Sequence, residues 1–479
     1  MRTKNLYLLL LCSLALFSCQ KKEGFSIYVA SGFHKLVWDS GEKDLLLFKS
    51  LRDSQDPDKI FLDAGGSFSQ NHIENRYTAG ADTAEALKAF GMDAVVVDSD
   101  ALKLPPKELA AVIEKLDGKA LSSNVYWKNG KTPEKLKRHL IISAGKTRVG
   151  LVATILKDPE KPDKQSYDHA YKIENPIYEI NRNIEKIKRD CDLKVLVLNS
   201  GFEDLKTLKK HLETAFSLMV SKPDLIILSG SWTFDPFKLK NVWVMPSGLK
   251  GAPAFRARLS GNSNFKTKDL KVFPLSPAEL KGRAVREDFV KTISEIRERT
   301  AGYFDKTISR ASADIEAEKD GYSPLGDLLA DSIKSYIKCN GAIINYSPIK
   351  RGLKAGEIKV RDLYEILGPE DNLTYTKVRG SDIPGLLGKL AGRKISVSGL
   401  KVVRNGKEIT KILINGRPVN DGKIYRFLIP QSLINDDYSI LSHSTEFSVL
   451  PRKTLDAALW YFRNHKELSP KAERRIMEE

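Results

Sequence analysis

Cysteine is scarce in this chain, with four in 479 residues, and no two stand in a Cys-x-x-Cys pair. That excludes a disulfide framework and argues against a cysteine-held zinc. Past the first two dozen residues, no stretch is apolar for long enough to cross a bilayer as a helix. Basic blocks interleaved with aromatics are missing too, although the formal charge is +17. The lysines and arginines are mixed with acids along apparent helices, as in "LKTLKKHLETA" and "VREDFVKTISEIRER". Such a surface is diffusely basic and solvated, and no specific nucleic-acid binding is expected of it. A protein that binds anionic polymers would rest on net charge alone. No period of 20–50 residues occurs, which excludes a solenoid. What remains is 41% hydrophobic and 29% charged, the composition of a soluble globular protein with two or three domains.

The N-terminus is the most specific local signal. Arg2 and Lys4 precede an apolar run, Leu6 to Phe17, that is too short for a mature membrane helix. It ends in "LFSC" followed by polar "QKKEG", similar to a bacterial lipobox, in which the processed cysteine carries lipid. On that reading 1–18 is a signal peptide, Cys19 is lipidated, and 19–24 is a tether. The expected location is the bacterial cell envelope, on the periplasmic or outer-surface side, with the membrane as partner. Removing Arg2 and Lys4 takes the charge from +17 to 17 − 2 = +15. Cys191, at the end of a charged helix, and Cys339, near a strand start, are then the cysteines left. One disulfide between them is an open alternative.

From 25 to about 270, helical and strand patterns alternate: "FSIYVA", "KIFLDA", the helix "DTAEALKAFG" with Asp82 as N-cap and Gly91 past its end, then "DAVVVD". "YEINRNIEKIKRDC" precedes "LKVLVLN", and "LKTLKKHLETAFSLMV" precedes "PDLIILSG". Short continuous apolar runs separated by helices indicate a sheet covered on both faces, with ligands expected at the strands' carboxyl ends. Residues 271–309 read as a long polar linker helix. From 310 to 479 a helix, "SPLGDLLADSIKSYI", opens a block of short strands, among them two Asn-Gly hairpin signals in "VRNGKEI" and "INGRPV".

The segments "GDLLAD", "NYSPIKRG", "AGEIKVRDLY", "DNLTYTKVRGSDI" and "NGRPVNDGKIYRFLIPQSLINDDY" resemble, in order and spacing, the C-terminal domain of bacterial 5'-nucleotidases and UDP-sugar hydrolases. The resemblance implies a mixed α/β and α+β protein. Its first domain would be a calcineurin-like metallophosphoesterase sandwich of four layers, α/β/β/α, in which two metals activate a water. The ligand positions that the resemblance carries over are mostly changed. Asp-x-His falls on Gly32-Phe33-His34, and Asp-x-Gly-Asp on Asp63 to Gly66, so glycine stands where a carboxylate would bridge both metals. Gly-Asn-His-Glu falls on Asp98-Ser99-Asp100-Ala101. The later histidines fall on Ser200 and on Ser229-Gly230-Ser231-Trp232. Glycine offers no ligand and neutral serine is a poor one beside carboxylate, so no metal cofactor is expected. His34 reads as a loop histidine or a remaining ligand. Asp63 reads as the organiser of its own turn. Asp98 and Asp100 could face one side and rebuild a divalent-metal site with Asp63 and His34.

In the second domain the family clamps a base between two aromatics and grips phosphate with arginines. The first aromatic segment reads Pro369-Glu370-Asp371-Asn372 and lacks its ring. The second reads Ile434-Asn435-Asp436-Asp437-Tyr438 and keeps one. The motif arginine falls on Lys350, with Arg351 beside it. Lys350, Arg351, Asn372 and Tyr438 are candidates for holding a nucleotide or other anion, or are ordinary surface. The resemblance therefore leaves two functions: a catalytically lapsed binding or interaction scaffold, or an active phosphoesterase of nucleotide catabolism with a rebuilt metal site.

Overall fold

The computed structural model describes residues 24–479 except 39–41, 55–57, 157–169, 201, 203, 231, 233, 248–253, 261–269, 275–284, 350, 369–370, 407 and 470–473. The lipobox with Cys19, and also Lys350, Pro369, Glu370 and Ser231, lie outside the described residues. The chain divides into two units, Met1–Arg297 and Glu298–Glu479.

The first unit is built on two six-stranded sheets. One contains β1 (Gly24–Ala30), β2 (Lys59–Asp63), β3 (Ala94–Val96) and β4 (Ala120–Leu121) as parallel neighbours. The other contains β5 (Leu140–Ala144), β6 (Thr147–Leu156), β7 (Leu193–Ser200), β8 (Leu225–Ser229), β9 (Phe237–Leu239) and β10 (Val242–Pro246). The strands β11 (Ala254–Ser260) and β12 (Leu270–Pro274) return antiparallel to the edge of the first sheet beside β1.

Alternation along each strand sets the layers. Ile27, Leu62 and Ala94 point from the first sheet into one core with Leu151, Val195 and Ile227 from the second. Tyr28, Phe61 and Val95, one residue out of step, face a second core with Phe33, Phe48 and Phe90. Those come from α1 (Phe33–Trp38), α2 (Glu42–Asp53) and α4 (Ala81–Phe90), with α3 (Ile73–Thr78) between and α5 (Pro106–Lys115) beyond. On the far side, Leu196, Leu198 and Ile226 pack on Ile180, Ile184, Leu208 and Leu212 from α6 (Pro176–Ile187) and α7 (Leu205–Leu218). The order of layers is α/β/β/α. Each sheet is thus covered by helices on one face and by its companion sheet on the other.

Three local expectations change. Helix α4 starts at Ala81, with Gly80 rather than Asp82 at its N-cap. Ala79 and Gly80 both have positive φ (50° and 77°), so the chain turns from α3 straight into α4. A Cβ on Gly80 would meet the Phe68 ring at 2.9 Å. Cys191 lies beyond α6, just before β7, because that helix already ends at Ile187. It and Cys339 are both free thiols. The helix expected to be polar, α8 (Glu287–Phe304), carries a buried stripe: Phe289, Ile293 and Ile296 join the helix-side core of the first unit. Spacings of four and three place them on one face.

The second unit is mixed. A five-stranded sheet orders β17 (Ile395–Ser398), β14 (Gly341–Asn345), β21 (Ile424–Pro430), β16 (Asn372–Arg379) and β22 (Ser444–Lys453). Its Ile343, Val397, Phe427 and Ile429 pack on Ile383, Leu386 and Leu390 of α11 (Ile383–Leu390). A four-stranded sheet orders β20 (Arg417–Pro418), β19 (Glu408–Ile414), β18 (Leu400–Asn405) and β24 (Ile476–Glu478). Short strands β13 (Thr307–Ala311), β15 (Gly356–Lys359) and β23 (Glu467–Leu468) form a third sheet. The helices α9 (Pro324–Tyr336), α10 (Val360–Ile366), α12 (Gln431–Asp436) and α13 (Thr454–Asn464) complete the unit.

Candidate functional site

Strands β2, β7 and β8 end in Asp63, in Asn199-Ser200 and in Ser229, and β3 is followed directly by Val97 and Asp98. Asp63 is fully buried and Asp98 is 1% exposed. Each carboxylate is met by the chain itself. Asp63 Oδ1 accepts the Gly65 N–H at 3.1 Å, and its Oδ2 accepts the Ser67 hydroxyl. Ser67 Oγ in turn accepts the Phe33 N–H at 2.7 Å, which fixes the start of α1. Asp98 Oδ2 accepts the Gly66 N–H at 2.6 Å, and its Oδ1 the Ala101 N–H at 3.2 Å. The Asn199 amide closes the group: its Oδ1 accepts from Ser99 Oγ at 2.8 Å, while Nδ2 reaches Asp98 Oδ2 at 3.4 Å and Ser229 Oγ at 3.5 Å.

Glycine makes this closure sterically possible. A Cβ on Gly65 would lie 2.7 Å from Asp98 Oδ2 and 2.9 Å from Ser229 Oγ, and Gly65 has φ +111°. The bare backbone of the Ala64-Gly65-Gly66 turn therefore lies directly against the strand-end carboxylate. Gly66, also at positive φ, is roomier: its nearest neighbour to a Cβ would be Ser31 Oγ at 3.4 Å.

Burial dominates the acid–base character of both carboxyls. It pushes Asp63 up to about 8, with the neighbouring Asp98 charge adding to the rise and the Ser67 and Gly65 hydrogen bonds opposing it. It pushes Asp98 up to about 6, helped by the charge of Asp100 and opposed by the Gly66 and Ala101 amides. Raised carboxyls often mark catalysis, but these two are enclosed by the chain itself.

The side chains of the other candidates have partners of their own. His34 is buried in α1, its ring edge-to-face with His72 at 4.6 Å. Asp100 pairs with Lys103 at 2.5 Å on a partly exposed turn. Trp232 packs against the helix-side cluster of the second sheet. Among the described residues no group of three histidine, cysteine, aspartate or glutamate side chains is placed to hold a metal ion. The two-metal centre that the resemblance implies does not fit the residues present: Asp63 and Asp98 are enclosed, Gly65 packs directly against Asp98, and Gly66 offers no side chain to bridge two ions.

In the second unit, Arg351 binds Asp362 Oδ1 at 3.1 Å and Glu365 Oε2 at 2.5 Å. Its guanidinium is held within an ion-pair network on α10. Asn372 begins β16 and is half-buried, and Tyr438 is 68% exposed. Ser67, Asn199 and Gly65 escaped the sequence reading. Asn199 directly precedes the flagged Ser200, so a polar residue at the end of an otherwise apolar strand was the available signal.

Residues 300–442 match the family "5'-nucleotidase, C-terminal domain". A 5'-nucleotidase of Vibrio vulnificus is 21% identical over 422 residues, spanning 78% of this chain and 76% of that protein. The fold is similar to a 5'-nucleotidase precursor from Thermus thermophilus (TM-score 0.57, 17% identity, 95% of this chain and 99% of that one). It is also similar to a Staphylococcus aureus protein assigned as a 5'-nucleotidase (TM-score 0.66, 13% identity, 95% and 100%). Residues 300–442 thus carry a 5'-nucleotidase C-terminal domain, and across both units the chain is similar in sequence to the Vibrio vulnificus 5'-nucleotidase and in fold to the Thermus thermophilus and Staphylococcus aureus proteins.

Proposed function

We propose that this protein is a lipid-anchored member of the family that no longer catalyses phosphoester hydrolysis and serves in the bacterial envelope as a binding or interaction scaffold. One observation carries the reading: the strand-end carboxylates Asp63 and Asp98 are consumed as acceptors for Gly65, Gly66, Ser67 and Ala101. Water activation needs a base or a metal-bound oxygen within reach of phosphorus, and neither carboxyl is exposed to supply it. Fold membership alone does not bring the activity with it. A nucleotide or another anion remains the ligand class, suggested by the exposed ring of Tyr438, and Cys19 would supply the tether.

The test combines metal content with turnover. Purified protein analysed for Mn, Zn, Fe, Co and Ni should carry none stoichiometrically, and should release phosphate from nucleotides and generic esters no faster than a blank. Metal-dependent hydrolysis that vanishes in an Asp98→Ala, Asp100→Ala double variant would overturn the proposal. For the anchor, Cys19→Ala should abolish labelling by a fatty-acid probe and release the protein from membranes; persistent labelling sinks that part.

A further inference from the structure

A cavity of about 460 Å³ opens in the second unit beside the loop at Asp320–Tyr322, walled by α9, β17, β18 and β24. Its size falls in the ordinary range for small-molecule sites. Four guanidiniums line it, Arg393, Arg404, Arg474 and Arg475, against the carboxylates of Asp320, Asp327 and Glu478. Neither Arg351 nor Tyr438 takes part in it.

The four arginines are not equivalent. Arg475 is fully engaged: both its Nη atoms reach Asp331 at 2.8 Å, and Nη1 also donates to the Val397 carbonyl at 2.7 Å. It ties β24 to α9 and β17. The other three each give a single N–H to the protein. Arg393 Nη2 reaches Asp437 Oδ2 at 3.3 Å, Arg404 Nε reaches Glu478 Oε1 at 2.6 Å, and Arg474 Nη2 reaches the Asp320 carbonyl at 2.8 Å. A guanidinium carries five donors in a planar fork suited to carboxylate and phosphate. The Arg404 and Arg393 side chains are only 18% and 28% exposed, so they have lost much of their hydration while most of their donors remain available. Beside them lie flat and apolar surfaces: Tyr322, over which Arg474 is stacked at 5.4 Å, with Ile395, Ile476 and Met477.

We propose that this cavity is a binding site for a small organic anion, its phosphate or carboxylate group held by Arg393, Arg404 and Arg474 and its apolar body lying against Tyr322 and Met477. The site is assembled by β24, which pairs in parallel with β18 and sets Arg404 opposite Glu478. It is independent of the strand-end carboxylates of the first unit and of whether they support turnover.

Isothermal titration of the full chain with pyrophosphate, citrate and adenosine 5'-monophosphate tests it. At least one probe should bind with one-to-one stoichiometry; pyrophosphate or the nucleotide identifies phosphate as the group held, citrate a carboxylate. Arg404→Gln should weaken that binding at least about tenfold. Met477→Trp, which fills the cavity from a residue already 39% exposed, should abolish it with every charge retained and with an unchanged thermal midpoint. The proposal fails if no probe binds more tightly than about 1 mM. It also fails if the Met477→Trp protein, folded as wild type, binds as well as wild type does.

Discussion

A carboxylate buried at the end of a strand must be satisfied by a cation or by hydrogen-bond donors. Asp98 takes the second course, and the residue that permits it is Gly65. Gly65→Ala should destabilise the first unit by more than about 2 kcal/mol, because the new methyl meets Asp98 and Ser229 below van der Waals distance at a φ that side chains rarely adopt. Gly66→Asp, one residue on, is a different case. Its Cβ has room, and aspartate tolerates positive φ better than most residues. This variant should fold, yet remain inactive toward phosphate esters, since the oxygens of Asp63 and Asp98 stay bound to backbone and hydroxyl donors. Urea unfolding followed by phosphatase assay in added Mn²⁺ checks both. A Gly66→Asp protein with turnover would show that the bridging carboxylate was the main loss.

At the scale of elements, β24 and α9 are joined through a half-buried ionic cluster in which Arg475 serves Asp331 directly and approaches Asp327 at 3.9 Å. Burial raises Asp327 from 3.8 to about 6, against the opposing pull of Arg475 and Ser396. The folded state therefore holds this proton more tightly than the unfolded chain does. Stability from this group is greatest below about pH 4 and is lost as pH rises to about 6. A carboxyl held at about 6 rather than near 4 contributes roughly 3 kcal/mol at most. Asp327→Asn should therefore raise the melting temperature at about pH 7.5 and leave it nearly unchanged near pH 4; an equal change at both would refute the assignment. Much at this scale was legible in advance. Gly91 does close its helix, and Asn415-Gly416 forms a hairpin turn with both φ values positive (49° and 79°). Such turns are written in two adjacent residues. The Asp98–Gly66 contact and the arginine cavity are not, because they join residues 32 and up to some 150 positions apart through sheet register. That the residues at the strand ends differ from those the resemblance leads one to expect could be read in the sequence, but the hydrogen bonds that Asp63 and Asp98 make there could not.

For the whole molecule, the excess of 78 basic over 61 acidic residues would suggest affinity for polyanions, and the disposition of those charges argues otherwise. Arg52 pairs with Asp93, Lys354 with Asp314, Lys394 with Glu318, and Arg351 with two acids. Such pairs contribute little to stability at an exposed surface, but they leave cations facing local anions rather than a phosphate track. Counterion release scales with the number of phosphates engaged together, at about 0.9 in log–log slope for each. A stripe touching about six to ten phosphates would give a slope of roughly −5 to −9. Here the slope for non-specific duplex DNA should be shallower than about −3, with binding lost by physiological salt. Fluorescence anisotropy across a salt series measures it directly. A steep slope with micromolar affinity at physiological salt would mean that the basic excess is organised into a continuous surface, and would make an anionic polymer, rather than a small anion, the partner that this charge serves.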